Sequence, residues 1–561
     1  MRNHRLVVSA AFIAAGLALV QVPASAAEGP DKPAAPAKPA PAKPVAPGQA
    51  KAGTAAKAAT TSAGEKFHSP ADRTVRTTLP GAGNKAAADH PGLSVEIAGE
   101  SWSAHRLGLA TKITGPDADL DVVVDWGDGT TEKTSVKGTE EVYHDHVYAE
   151  VGEYVVKVTV TDVANGIQAA NQITFVTEGS KFTPHAPTRL LDTRNGTGTK
   201  AGKVAGRGTT RVQVAGNSGI PAGATAVVLN VTVTNTTDGG HVAVYPGKGS
   251  RPDTSNLNYT AGQSVPNLVI VPVGADGSVE LFNGGWSPVD LIADVTGYFT
   301  RTAAGGYTSI TPTRFVDTRE GLGTAKGRLA GRGTFTTQID GLKGVPKGIT
   351  AVALNVTVTN PAEAGHLSVF PGGGQTPTAS SLNFAAGQTV ANSVIVPVGP
   401  DGRISVFNGA WAGADVIVDV VGHYGKGSKA ALRTISPWRA IDTRDTEAWP
   451  GRLPARGYFS QWFAPEPEGV EAFVFNTTVT NTADDGFLSV APSPLPWEEN
   501  TDPNAPKPPR PVSSALNWTK GATVPNLVQT GVGEYGIINF WNQGWKDADL
   551  IVDVFGIYET N

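Results

Sequence analysis

Arg189-Leu190-Leu191-Asp192-Thr193-Arg194 returns as Arg314-Phe315-Val316-Asp317-Thr318-Arg319 and again as Arg439-Ala440-Ile441-Asp442-Thr443-Arg444. Successive copies lie 125 residues apart. That period is too long for a solenoid unit and suits one small domain per copy. Working outward from the motif, the copies occupy 182–300, 307–425 and 432–561. The first carries eight short strand patterns, near 188–194, 209–216, 225–235, 241–247, 255–259, 267–274, 278–285 and 289–299. Turn signals such as Asp238-Gly239-Gly240 and Ala275-Asp276-Gly277 separate them. No helical period is sustained. Eight strands per unit predict an antiparallel β-sandwich or jelly roll, with a two-bladed propeller segment as the alternative.

Upstream of the copies, Arg2 and Arg5 precede an apolar run from Leu6 to Val20, and Ala24-Ser25-Ala26 has the small-x-small form of a cleavage site. Residues 1–26 therefore read as a signal peptide. A secreted or extracellular product follows, with no membrane span in the mature chain and with cell-wall association left open. Residues 27–92 read as a disordered linker; its first part is rich in Ala, Pro and Lys, a composition that cannot supply a core. A plain spacer is favoured there over a stalk that crosses an anionic wall. The chain has no cysteine, which excludes thiol chemistry and disulfide scaffolding. Its net charge is −5 and its charges are dispersed, so a nucleic-acid footprint is not expected.

Residues 93–178 form the first folded unit. Val122 to Trp126 is a strand pattern running into Gly127-Asp128-Gly129-Thr130. His146-Val147-Tyr148 precedes an alternating strand in which Tyr154, Val156, Val158 and Val160 share one face. The W-G-D-G-T, H-x-Y and G-x-Y-x-V-x-V-x-V-x-D motifs, in that order, resemble the PKD domain. The resemblance implies an immunoglobulin-like β-sandwich and a structural Asp-Gly turn. Asp125 and Asp128 are turn formers first and cation ligands second. The three copies resemble, in turn, a repeat of secreted actinobacterial proteins with an R-x-x-D-T-R start, an L-N-V-T-V-T middle and a D-V-x-G-Y-F end. That resemblance implies location and architecture more than activity. The expected fold class is thus all-β: a PKD-like sandwich followed by three tandem antiparallel sandwich or jelly-roll-like repeats. Linkers such as Thr302-Ala303-Ala304-Gly305-Gly306 and Gly425-Lys426-Gly427-Ser428 predict separately folding units with some freedom.

Several polar positions recur in every copy. They are the Arg-x-x-Asp-x-Arg set, Arg207/Arg332/Arg456, Asn230/Asn355/Asn476, Asn258/Asn383/Asn517, Asn267/Asn392/Asn526, Asn283/Asn408/Asn542, Asp290/Asp415/Asp549 and Asp294/Asp419/Asp553. Carboxylates and amides in this density are hard-cation ligands and sugar acceptors, which keeps calcium open; no other cofactor is expected and the metal content is left unknown. The favoured reading is an internal network. Arg189, Asp192 and Arg194, with Arg314, Asp317 and Arg319 and with Arg439, Asp442 and Arg444, are expected to form structural ion pairs.

No catalytic residue is assigned. His241 and His366 correspond, but the third copy has Phe487 there, and no hydrolase or phosphate-loop motif occurs. Ligand contacts are sought where the third copy departs from the others, at Trp438, Trp449, Trp462 and Trp497. Trp438 and Trp462 replace Thr188/Thr313 and Gln213/Gln338, positions expected to face outward. The alternative is that these rings cap the end of the chain, the insertion around Trp497 to Pro511 folding back on them. Trp286, Trp411 and Trp545 correspond across copies and read as shared packing. The expected function is a secreted, non-enzymatic surface attachment or scaffolding protein binding glycan or cell-wall polymer. The alternatives are a protein-binding or self-assembling surface protein, and an unrecognised polysaccharide hydrolase. Partner protein and oligomeric state stay open.

Overall fold

The computed structural model describes residues 66–80, 92–302, 304–449, 451–501 and 505–561. The signal peptide and the spacer to residue 65 lie outside the described residues. The described residues are all-β, with one short α-helix among them, α1 (Trp497–Thr501), and a 3-10 turn at Ala71–Arg73. The first unit is a two-sheet sandwich of β1 (Lys66–Ser69), β2 (Val75–Thr78), β3 (Ser94–Ser101), β4 (Arg106–Thr114), β5 (Asp119–Asp125), β6 (Thr131–Lys137), β7 (Glu140–Val147), β8 (Glu153–Asp162) and β9 (Ile167–Val176). Its sheets run β1-β3-β4-β7 and β2-β9-β8-β5-β6. This corrects the expected start at residue 93. Phe67 packs on Phe175, and Asn171 Nδ2 donates to the Ser69 carbonyl, so a segment read as linker contributes an edge strand to each sheet.

The first copy comprises β10 (Lys181–Asp192), β11 (Thr209–Gln213), β12 (Ala224–Thr234), β13 (Gly240–Pro246), β14 (Leu257–Tyr259), β15 (Val265–Pro272), β16 (Ser278–Asn283) and β17 (Asp290–Thr300). Each of the eight expected strands is present. The sheets run β10-β17-β12-β15 and β11-β16-β13-β14, all antiparallel. Counting within the copy, this is 1-8-3-6 facing 2-7-4-5, the order of a jelly roll. The second and third copies repeat it strand for strand.

The copies are not separate beads. Along β12, Val227, Leu229, Val231 and Val233 enter the copy's own core, while the opposite face turns Ala226 and Val228 into a second core. That second core is shared: Phe182, Leu268, Ile270 and Phe299 of the first copy meet Tyr307, Ile395 and Tyr424 of the second and Leu432, Leu527 and Tyr558 of the third. The 1-8-3-6 sheet of each copy is therefore covered on both faces.

Three asparagine pairs close the circle. Asn392 Nδ2 of the second copy donates to Asn230 Oδ1 of the first at 3.0 Å. Asn526 Nδ2 of the third donates to Asn355 Oδ1 of the second at 3.1 Å, and Asn267 Nδ2 of the first to Asn476 Oδ1 of the third at 3.0 Å. Each donor's own amide oxygen accepts a backbone N–H from the following strand around the ring: Leu268 to Asn392, Ser393 to Asn526, Leu527 to Asn267. The cyclic order, second to first to third to second, makes a pseudo-threefold trimer from one chain. The expected freedom of the linkers is corrected accordingly. Gly305 and Phe182 exchange both backbone hydrogen bonds, and the Tyr307 N–H donates to Ala430. The first sandwich is fastened to the third copy: the Ala104 N–H donates to Glu559 Oε2 at 2.8 Å, and Arg433 makes a bidentate, buried pair with Glu559 at 2.7 and 2.6 Å.

Candidate functional site

Two networks of recurring polar residues hold each copy. In the first, Arg189 Nε and Nη2 reach both Asp294 oxygens at 2.9 and 3.2 Å, while its Nη1 bonds Asp192. Arg194 forks onto Asp192 at 2.9 and 2.7 Å. The same geometry recurs at Arg314, Asp317, Arg319 and Asp419, and at Arg439, Asp442, Arg444 and Asp553. The arginines hold Asp192, Asp317 and Asp442 below the usual carboxylate range. Burial outweighs the arginine at Asp294, Asp419 and Asp553 and pushes them up. Asp290 accepts from Thr193 Oγ1 and Asn235 Nδ2, so its oxygens are also engaged by the protein. Asp125 and Asp128 close their turn, accepting from Gly127 N and Thr130 N, and Asp128 also meets His146 Nε2 at 2.8 Å. Among the described residues no group of three or more His, Cys, Asp or Glu side chains is arranged to hold a metal ion.

The second network is built on Asn283, Asn408 and Asn542, all fully buried. Asn283 Nδ2 donates to Val204, Ala205 and Ser287 carbonyls, and its Oδ1 accepts from Gly285 N and the Tyr259 hydroxyl. One amide side chain thus fixes both ends of the tight loop Asn283-Gly284-Gly285-Trp286. Asn408 and Asn542 hold Asn408-Gly409-Ala410-Trp411 and Asn542-Gln543-Gly544-Trp545 in the same way.

These loops lift their indoles into solvent. Trp286, Trp411 and Trp545 are 80%, 79% and 73% exposed. The reading of these residues as shared packing is corrected: they stand at loop tips between two strands, where no sheet face covers them. Beside each lies an arginine, its guanidinium over the indole at 5.6, 5.3 and 4.9 Å for Arg207, Arg332 and Arg456. All three arginines hold positive φ, 61°, 58° and 56°, a conformation costing a non-glycine residue roughly 1–2 kcal/mol. Hydrogen bonds hold it: Arg207 N donates to Gly285 O and its Nη1 to Gly284 O, both at 3.0 Å. Arg332 and Arg456 repeat this on Ala410 and Gly409, and on Gly544 and Gln543. The same strained backbone and the same exposed cation–indole pair occur three times around one axis.

The four tryptophans chosen from sequence differences lie elsewhere and are half-buried. Trp438 and Trp449 pack on the third copy's core. Trp449 stacks on Phe459, with centroids 6.3 Å apart, and Trp462 stacks on Trp497 of α1 at 6.0 Å. The Nε1 atoms of Trp438 and Trp462 are buried without a partner. The folded-back insertion covers Trp462 through Trp497, while Trp438 and Trp449 lie against the copy's own core, so the four are not gathered into one surface. The signal for the exposed set was present in the sequence: an invariant tryptophan after Asn-x-x in every copy, beside an invariant Arg-Gly.

No family model matches the chain, and no curated protein matches it. Among solved structures, a SusE-like protein aligns at 14% identity over 34% of this chain and 93% of its own, with a TM-score of 0.11. The CBM22-1–CBM22-2 tandem domain from Paenibacillus barcinonensis Xyn10C aligns at 12% identity over 44% and 93%, with a TM-score of 0.14. A protein of Sulfolobus Turreted Icosahedral Virus aligns at 10% identity over 68% and 91%, also at 0.14. The fold assignment rests on the strand pairing itself.

Proposed function

We propose that the chain is a secreted, non-enzymatic attachment or scaffolding protein of the cell surface, and that its ligand is a glycan or cell-wall polymer. One observation carries this reading: three exposed indoles, each braced by an arginine, repeated on a rigid closed ring. An indole face stacks on the C–H face of a sugar ring, and the guanidinium beside it donates to hydroxyls. Three such pads at fixed spacing gain by avidity on a polymer that presents repeating units. The PKD resemblance and the resemblance to secreted actinobacterial repeats agree with a surface location.

Retention of the full chain on insoluble peptidoglycan, cellulose and chitin tests the reading. Replacing one of Trp286, Trp411 and Trp545 by Ala should weaken retention by about tenfold, an indole contact being worth roughly 1.4 kcal/mol, and replacing all three should abolish it. Retention unchanged in the triple variant refutes the pads. Tryptophan and arginine also dominate protein interfaces, so silence on every polymer with concentration-dependent oligomerisation favours the protein-binding alternative. Measured turnover of a polysaccharide would overturn the non-enzymatic assignment.

A further inference from the structure

A groove of about 720 Å³, with none of the exposed indoles in its lining, runs along the seam where the first copy meets the second. Arg189, Arg194 and Thr232 line one wall; His366, Asn383 and Gln388 line the other. Its charges are already committed. Arg189 is bonded through all three nitrogens to Asp294 and Asp192, and Arg194 is paired with Asp192 through Nε and Nη2, so each guanidinium in the groove already has a carboxylate counter-ion. Burial and the nearby Arg332 lower the pKa of His366, which leaves it a neutral imidazole at neutral pH.

Beyond these ion-paired arginines, the groups offered to the groove are neutral and able to hydrogen-bond. His366 and Asn383 are direct cross-strand partners, and among the described residues neither side chain has a hydrogen-bond partner. Gln388 and Gln263 each use only Oε1, accepting from Ala385 N and Thr260 N at 2.9 Å, so both amide NH2 groups are free to donate. An imidazole, a full carboxamide and two amide donors in one uncharged groove match groups that both donate and accept, as sugar hydroxyls do. The groove also adjoins one of the pads. His366 packs beneath Gly409, where an added Cβ would lie 2.1 Å from Cε1, and Gly409 accepts the Arg332 hydrogen bond beside Trp411.

The three seams are not alike. Where His366 stands in the second copy, the third has Phe487, and its cross-strand Asn517 has a buried Oδ1 without a partner. Arg314, the counterpart of Arg189, keeps its bonds to Asp419 and Asp317 and also donates to the carbonyl of Val512, so an arm of the third copy's insertion crosses the seam between second and third copies.

We propose that the seam groove between the first and second copies is a binding site for a neutral oligosaccharide, read by His366, Asn383, Gln388 and Gln263. The proposal rests on the glycan reading above and adds the site and the absence of charge in its ligand. Titration calorimetry of the full chain with cellohexaose and with chitohexaose tests it, with a sulfated oligosaccharide as the charged comparison. Binding of a neutral hexasaccharide should weaken at least tenfold in His366→Phe combined with Asn383→Ala. Gln388→Ala with Gln263→Ala, which leaves the His366–Asn383 strand pair intact, should give the same direction of change, with thermal melts confirming that the variant is folded. The triple tryptophan variant should keep hexasaccharide binding while losing retention on insoluble polymer. Hexasaccharide binding untouched by both groove variants overturns the groove and leaves the glycan reading intact, as does retention on polymer without any hexasaccharide binding, or preference for the sulfated probe. Neither retention nor hexasaccharide binding by the unaltered chain sinks both.

Discussion

Substituting Asn392 by alanine should destabilise all three copies together. The side chain makes three buried contacts: Nδ2 to Asn230 Oδ1 at 3.0 Å, Nδ2 to Ser381 O at 2.6 Å, and Oδ1 from Leu268 N at 3.4 Å. Asn230 and Leu268 belong to the first copy, so alanine strands a buried acceptor and a buried backbone donor across the seam. Each such orphan costs about 1–3 kcal/mol, giving roughly 3–4 kcal/mol in all, a large share of the 5–15 kcal/mol that a domain commands. Because the shared core and the asparagine ring join every copy to both others, that loss should be felt by the whole unit. Urea unfolding of the full chain should show one transition for the three copies, shifted equally whether followed by the indoles of the third copy or by calorimetry. A second substitution, Asn526→Ala, should cost less than the first, since the ring is already open. A shift confined to the second copy, or independent transitions for the copies, would refute the closed trimer as the folding unit.

Three further outcomes follow from the same geometry. The isolated first copy, residues 180–302, exposes Phe182, Leu268, Ile270 and Phe299 together with self-complementary Asn230 and Asn267, so light scattering should find it as a trimer; a stable monomer contradicts this. Asn283→Ala removes five hydrogen bonds from a fully buried amide and should lower stability by about 2–4 kcal/mol, whereas Trp286→Ala, an exposed residue, should change it by under about 0.5 kcal/mol; equal effects in thermal melts would reverse the assigned roles. His105, buried where the first sandwich meets the third copy, has its pKa lowered by burial and by Lys181. With the folded value below the unfolded 6.5, its contribution to docking is complete above pH 6.5 and is lost as pH falls through the folded value. Hydrogen exchange at the His105 and Gly179 amides should therefore accelerate between pH 7.5 and 5.5, beyond the intrinsic rate change, and His105→Gln should flatten the response; unchanged protection sinks the assignment.

Strand content and pairing were legible because each sandwich strand alternates over its own core, as Val227, Leu229, Val231 and Val233 do. The ring was not inferred, although its mark is in the same strand. Ala226 and Val228 occupy positions that a free sandwich would turn to water, making Ala226-Val227-Val228-Leu229 an unbroken apolar run, the pattern of a sheet buried on both sides. The recurring asparagines were read within one copy, but Asn230 and Asn267 act between copies, and nothing local distinguishes an amide that bonds its own sheet from one that bonds a neighbour. The exposed tryptophans were missed for a related reason. Recurrence alone does not separate packing from presentation; what separates them is the tight Asn-x-x-Trp loop, which holds the ring off the sheet. The third copy's extra indoles differ from the other copies for a local reason: Trp462 and Trp497 shield one another.

A single chain also achieves what three identical subunits could not. On the axis, Gln529 stands where the first two copies have Ile270 and Ile395. Its Nε2 donates to the Tyr424 and Tyr558 hydroxyls at 2.8 and 2.9 Å, and those hydroxyls meet each other at 2.7 Å; the equivalent ring in the first copy is Phe299. One amide against two phenols and one phenyl can exist only if the three positions differ. The Arg433–Glu559 pair that fastens the first sandwich is likewise confined to the third copy, since the first has Thr183 and Thr300 there and the second has Thr308 and Gly425. Threefold placement of the indole pads and one-sided docking of the leading domain are thus compatible because the symmetry is kept in the pad-bearing loops and broken on the axis and at the docking end. A separate departure, the third copy's insertion, distinguishes the seams, since its arm crosses the one between the second and third copies at Val512.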